Sequence, residues 1–181
     1  MRVKGSLFVE FVKTIRANKT GIFDRYLTQE DREIISQRIL SNIWYPYETF
    51  KHCLTAVCEV IAKNDLEVVK EWGRLYGQAI MTTLYVSILK QGNPLSYINH
   101  IGLLVRNFFD FGRVEIVIES ETRAVYKIFD FDPEYAPVHY LLNGWIERTT
   151  EICGAKKLKC ETISKSWAGD DCTSIRFSWA K

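Results

Sequence analysis

The sequence holds no block of one charge sign, no uninterrupted apolar run at its start and no linker rich in proline or serine. Each absence excludes something. Lys plus Arg number 24 against 22 Asp plus Glu, a formal charge of +2, so no broad cationic face is there to follow a phosphate backbone, and nucleic acid is not an expected partner. The opening MRVKGSLFVEFVKTIRANK is broken by Glu10 and Lys13, which excludes a signal peptide or membrane span there. No membrane insertion is expected, and a cytoplasmic location is. With only four prolines, no low-complexity run and no internal repeat, nothing marks a boundary, so a single domain over residues 1–181 is expected, helical over 1–111 and sheet over 112–181. A glycine-rich phosphate loop, an HExxH pair and an arguable Ser, His and Asp arrangement are also missing, so no enzyme, catalytic residue or cofactor is expected. Five cysteines is an odd number in a chain without an export signal. That argues for reduced thiols, most of them small buried hydrophobes.

What is present is a clear order of elements. Leu7, Phe8, Phe11, Val12 and Ile15 recur at helical spacing within Val3 to Asn18. Thr28 suits the N-cap of a helix through Leu40, with Asp31 in its first turn where negative charge meets the helix dipole. Pro46 suits the first turn of a helix to about Lys63, and Asp65 can cap a long helix from Leu66 to about Lys90. The apolar segment from Ala79 to Leu89 makes the second half of that helix a buried rod, and Gly73 and Gly77, one turn apart, predict a neighbour packed close. Gly92 ends it. Pro94 starts another, whose apolar face is Tyr97, Ile101, Leu104, Val105, Phe108 and Phe111.

From Gly112 the period switches to alternation. Val114 to Glu119 and Ala124 to Phe131 read as a hairpin turning at Ser120 to Thr122, Val138 to Cys153 as a helix stopped by Gly154, and Lys157 to Ser164 and Cys172 to Trp179 as two more strands. The expected class is α+β: six helices leading into a four-stranded antiparallel sheet in the order β-β-α-β-β. In the last hairpin, Thr173, Ile175, Phe177 and Trp179 share the apolar face. A turn at Ala168 to Asp170 pairs Cys172 near Lys165 and sets Cys160 near Phe177. Two sulfurs so far apart do not converge on one zinc, which needs each at about 2.3 Å, so no metal site is expected.

Aromatic residues concentrate where the central helices and the sheet would meet: Trp72, Tyr76, Tyr85, Tyr97, Phe108, Tyr126, Phe129 and Trp145. Such a set is either an ordinary core or the lining of an apolar pocket with a few orienting hydroxyls. The pocket candidates are Trp72, Tyr76, Tyr97, His100, Leu104, Phe108, Tyr126 and Trp145. His100, at the border of an apolar helix face, reads first as a core-edge histidine bonded to backbone or water, next as a polar group touching a ligand and last as a heme ligand, whereas His52 and His139 read as surface or helix-start residues.

KGSLFVEFVKTI at the start, WYPYETF at Trp44 to Phe50, EWGRLYGQAIMTTL at Glu71 to Leu84, YLLNGWIERTTEICGAKK from Tyr140 and the ending GDDCTSIRFSW together resemble one superfamily over nearly the whole chain. It contains the heme nitric-oxide-binding domains, the 4-vinyl reductase or hydrocarbon-binding domains, and palmitate-holding subunits of the Golgi transport complex. The nearest likeness is to a stand-alone bacterial family of myxobacterial paralogues. The resemblance implies a heme-nitric-oxide-binding-like fold that holds a small hydrophobic or lipid-like ligand between helices and sheet, acts in signalling through a protein partner, and forms a homodimer.

It also carries its own departures. Glu161, Gly169, Asp170 and Cys172 match the zinc pattern of the reductase type, but Ser164 stands where its middle cysteine would be, and no helical cysteine lies near Val138. Heme-binding members present an axial histidine where Leu103 aligns, about a turn beyond His100. Their Tyr-x-Ser-x-Arg anchor is replaced by Tyr126, Lys127, Ile128, Phe129 and Asp130, leaving heme carboxylates without their charged partner. Two other readings stay open: a ligand-free dimeric interaction scaffold, and a gas-sensing heme protein using His100.

Overall fold

The computed structural model describes residues 1–83 and 93–180, with 81–83 as backbone alone. Its elements are β1 (Arg2–Lys4), α1 (Gly5–Ala17), α2 (Gln29–Ser36), β2 (Trp44–Pro46), α3 (Tyr47–Val60), α4 (Leu66–Thr83), α5 (Pro94–Phe108), β3 (Arg113–Ser120), β4 (Arg123–Phe129), α6 (Ala136–Ile152), β5 (Lys156–Ser164) and β6 (Thr173–Ala180). The α+β class and the β-β-α-β-β order are as expected, and among the described residues five α-helices precede the sheet. The far end of the expected apolar rod, with Tyr85 and the Gly92 stop, lies outside the described residues. The chain divides into two compact units. One comprises Met1–Leu66 and Arg106–Phe111; the other lies within Glu67–Val105 and Gly112–Lys181.

In the first unit the start differs from the helix expected from Val3. Arg2–Lys4 is a strand that pairs antiparallel with Trp44–Pro46, Val3 opposite Tyr45. The reason is distant in sequence: the Asp110 carboxylate accepts from the Arg2 amide and Nε, both at 2.6 Å, which holds the backbone extended. Pro46 therefore ends a strand and caps α3, rather than lying in the helix's first turn. At Thr28 the cap is as expected, a full capping box in which Thr28 Oγ1 accepts from the Asp31 amide and Asp31 accepts from the Thr28 amide. That helix stops at Ser36, not Leu40, where Arg16 donates to the Ile35 and Gln37 carbonyls and so draws off acceptors the next turn would use. The core of this unit is a set of edge-on rings, Phe8, Phe50, Tyr47, Phe109 and Phe111.

The second unit contains the sheet, ordered β3-β4-β6-β5 and antiparallel throughout. Cys160 pairs with Phe177 as expected, and Thr173, Ile175 and Phe177 of the apolar face are buried; toward the turn a shift between Thr162 and Ser164 sets Ser164 opposite Ser174, so the expected pairing of Cys172 near Lys165 is not part of the ladder. Gly154, at φ 108°, ends α6, with the Ala155 amide reaching back to the Thr150 carbonyl. The glycine pair of α4 has the expected close neighbour, which is α6. A Cβ on Gly73 would meet the Leu141 carbonyl oxygen at 2.0 Å, and one on Gly77 the Trp145 ring at 2.5 Å. Gly144 answers from the other helix, its position for a Cβ only 1.8 Å from the Lys70 carbonyl oxygen. Backbone here touches backbone, a separation that only glycine permits.

Candidate functional site

Beside that helix crossing, still within the second unit, lies a cleft of about 190 Å³ between the two helices and the sheet. Its helical wall is Glu67 and Lys70 of α4 with Tyr140, Asn143 and Glu147 of α6; its sheet wall is Cys160, Thr162, Ile175 and Phe177, with Trp167 from the β5–β6 turn. The pleat explains the sheet wall. Cys160 pairs with Phe177 and Thr162 with Ile175, so both pairs project toward the helices. Trp167 is held by ring contacts with Tyr140 at 5.8 Å and His139 at 4.8 Å.

The polar side of the cleft is a chain of charges joining α4 to α6. Lys70 Nζ lies 2.7 Å from Glu147, Arg74 donates to Glu147 at 2.6 Å and to Glu151 at 2.9 Å, and Arg148 donates to Glu151 at 3.0 Å. Burial alone would raise the Glu151 carboxyl, but hydrogen bonds from Arg74 and Arg148 outweigh it and hold the group below its ordinary range. At Cys160 burial pushes the thiol up strongly, and the Glu147 carboxylate adds to the effect. The sulfur therefore stays protonated at neutral pH and acts as wall rather than nucleophile.

None of the eight pocket candidates lines this cleft. Tyr97, Leu104, Tyr126 and Trp145 are buried in the second unit, Trp72 and Tyr76 are half-buried, and Phe108 is buried in the first. Tyr97 donates its hydroxyl to Thr149 Oγ1, which donates on to the Trp145 carbonyl at 2.8 Å, so this buried phenol has its partner inside the fold. Burial raises the hydroxyls of both Tyr97 and Tyr126. Sequence reasoning missed Lys70, Asn143 and Glu147, whose only signal was their i, i+3 and i, i+4 spacing along facing helices. Trp167 gave none, since a turn residue's reach depends on where the hairpin folds.

Each histidine has a partner within the fold. His100 is exposed and donates Nδ1–H to its own helix at Ser96 O, 2.6 Å away. His52 donates to the Asp31 carboxylate at 2.8 Å. His139, expected at a surface or helix start, does start a helix but is only 2% exposed. It packs edge-on to Phe131 and donates to the Asp132 carbonyl at 3.2 Å, and burial lowers its basicity. The cysteines are all free, with Cys53, Cys58 and Cys153 buried. Among the described residues no three of His, Cys, Asp and Glu come together as a metal site, and no helix is long and apolar enough to cross a membrane.

A four-stranded antiparallel sheet combined with helices is an α+β architecture, and comparison with solved structures names the fold. The chain is similar to the Fe(II) unliganded H-NOX protein from K. algicida at 15% identity, covering 98% of this chain and 97% of that one with a TM-score of 0.68. It is similar to an H-NOX protein from S. oneidensis in the Fe(II)NO state at 10% identity, covering 98% and 99%, with a TM-score of 0.70. An oxygen-binding H-NOX domain related to soluble guanylate cyclases matches at 12% identity, covering 98% and 95%, with a TM-score of 0.68. The chain has the H-NOX fold. No protein-family model and no curated protein matches the sequence.

The residues present do not fit a histidine-bound heme. Leu103, aligned with the axial position, is 53% exposed and carries no ligating atom, while His100 lies exposed on its helix rather than facing an enclosed pocket. Beyond Tyr126, the position of the anchoring arginine is Asp130, a carboxylate that would repel a propionate.

Proposed function

We propose that this protein is a non-catalytic sensory domain that takes a small apolar molecule in the cleft between α4, α6 and the sheet and passes its occupancy to a signalling partner in the cytoplasm. The observation that carries this reading is the cleft itself, floored by Ile175 and Phe177, closed at one side by Trp167 and rimmed by Lys70, Asn143 and Thr162. A recess with an apolar floor and placed polar groups around it is a common form of ligand site. Its 190 Å³ lies below the roughly 300 Å³ at which drug-sized sites begin. A single-ring molecule is therefore favoured over a long acyl chain. In this reading the buried candidates Tyr97, Leu104, Tyr126 and Trp145 form the rigid backing of the cleft, and Trp72, Tyr76, His100 and Phe108 do not touch the ligand. Because Lys70 and Glu147 belong both to the cleft and to the charge chain between the helices, a bound molecule would bias how α4 and α6 are tied together.

The test is native mass spectrometry of the purified protein followed by a thermal-shift screen of phenols, fatty acids and tetrapyrroles. Phenols are expected to raise Tm, since a ligand at a hundred times its Kd adds about 2.7 kcal/mol to the folded state. Trp167→Ala should abolish that shift. Hemin is expected to give no Soret band of a histidine-bound heme. A protein that retains nothing and responds to no compound would point instead to a ligand-free scaffold.

A further inference from the structure

The sheet has two outer strands, and they are built differently. On β5 the edge carries Lys156, Lys157 and Lys159, and its register is irregular between Lys156 and Lys159 and again between Thr162 and Ser164. Lysines and bulges are the usual guards against unwanted strand pairing. The other outer strand, β3, has no lysine and stays regular from Arg113 to Ile118, with its one irregularity at the turn end. None of its residues is buried, and Val117 and Ile118 are 44% and 43% exposed.

The β3 sequence is also complementary to itself. Set antiparallel against a second copy about Ile116, it places Arg113 opposite Glu119, Val114 opposite Ile118 and Glu115 opposite Val117. Alternation then sorts these pairs by face. Val114, Ile116 and Ile118 share the face that carries Tyr126 and Ala124 on β4, so the apolar layer would run on across the junction. On the opposite face each Arg113 meets a Glu119, twice over because the contact is symmetric. In the single chain Arg113 pairs with Glu115, while Glu119 is reached by Arg176 at 3.3 Å and Arg123 at 3.9 Å. These partners are on the same face, so the cross-copy pairs extend existing charge clusters.

We propose that β3 is the surface through which two copies of this chain associate, strand against strand about Ile116, joining their sheets into one. Ladder hydrogen bonds and the covered aliphatics supply the affinity, and the Arg113–Glu119 pairs set the register. The proposal is independent of what the cleft binds.

Sedimentation equilibrium of the full chain tests it. A monomer–dimer equilibrium is expected for the unmodified protein, and Val117→Lys should leave a monomer with an unchanged circular dichroism spectrum. Arg113→Glu or Glu119→Arg alone should each weaken association about tenfold, because two symmetric pairs become repulsive. The double variant Arg113→Glu/Glu119→Arg should recover most of that loss, a rescue that only this register predicts. A protein monomeric at every concentration, a dimer that survives Val117→Lys, or a double variant as weak as the single ones would overturn the proposal.

Discussion

Replacing Gly144 with alanine should cost this protein about 3 kcal/mol or more of folding stability, at the upper end for overpacked contacts. The added methyl would lie 1.8 Å from the Lys70 carbonyl oxygen, an atom of the α4 backbone that no rotamer change can move. The helices would have to separate, which also stretches the Lys70–Glu147 and Arg74–Glu147 pairs that cross the same interface. A fall in the urea midpoint with little change in slope is the measurement, and an unchanged midpoint would show that the helices are not in contact at this point. Gly102→Ala is the matched control. There the nearest atom to a new Cβ is a Val114 side-chain carbon at 3.6 Å, so the substitution should instead stabilise α5 by about 0.5–1 kcal/mol through lost chain freedom in the unfolded state.

Asp31→Ala should remove about 3 kcal/mol, because one carboxylate serves several donors at once. Its Oδ2 accepts from the Thr28 amide, the Thr28 hydroxyl and His52 Nδ1, each at 2.8 Å, while the residue is only 2% exposed. Without it those donors are left beside an apolar methyl. Burial by itself raises the Asp31 carboxyl, yet hydrogen bonds from Thr28, Thr49 and His52 prevail and hold it below its ordinary value of 3.8. A depressed folded value means that the stabilisation is complete above 3.8 and is lost as pH falls through the lower folded value. Glu151, depressed from 4.5, adds a second loss in the same direction. Acid unfolding followed by circular dichroism should therefore show a steep limb in the wild type and a shallower one in Asp31→Asn. Equal limbs would mean that Asp31 is not held ionised by its donors.

Several of these features are legible in the amino-acid sequence. Thr28 followed by Asp31 three residues on is a local pattern, satisfied within one helical turn, and it forms as read. Gly73 and Gly77 signal a close neighbour because a glycine pair in a helix has an energetic cost that packing must offset. Alternation in the last hairpin predicts the pairing of Cys160 with Phe177, which is the register observed. Other features depend on partners far away in the chain. Arg2–Lys4 is a strand because Asp110 and Trp44–Pro46 meet it, and nothing in the first residues themselves distinguishes that from the first turn of α1. Phe8, Tyr47, Phe50, Phe109 and Phe111, which pack edge-on in the first unit, come from three separated segments, a meeting that no local pattern signals.

Local periodicity, capping and pleat alternation thus determined which segments are helix or strand, which face of each is apolar and how the final hairpin is registered. These properties arise from neighbours within a few residues. Tertiary structure alone decided that Glu147 would meet Lys70 and Arg74, that Trp167 would line a cleft against α6, and that β3 and β5 would be the outer strands of the sheet. Those outcomes depend on the angle and depth at which helix packs on helix and sheet, set by three glycines acting together on opposite sides of one contact.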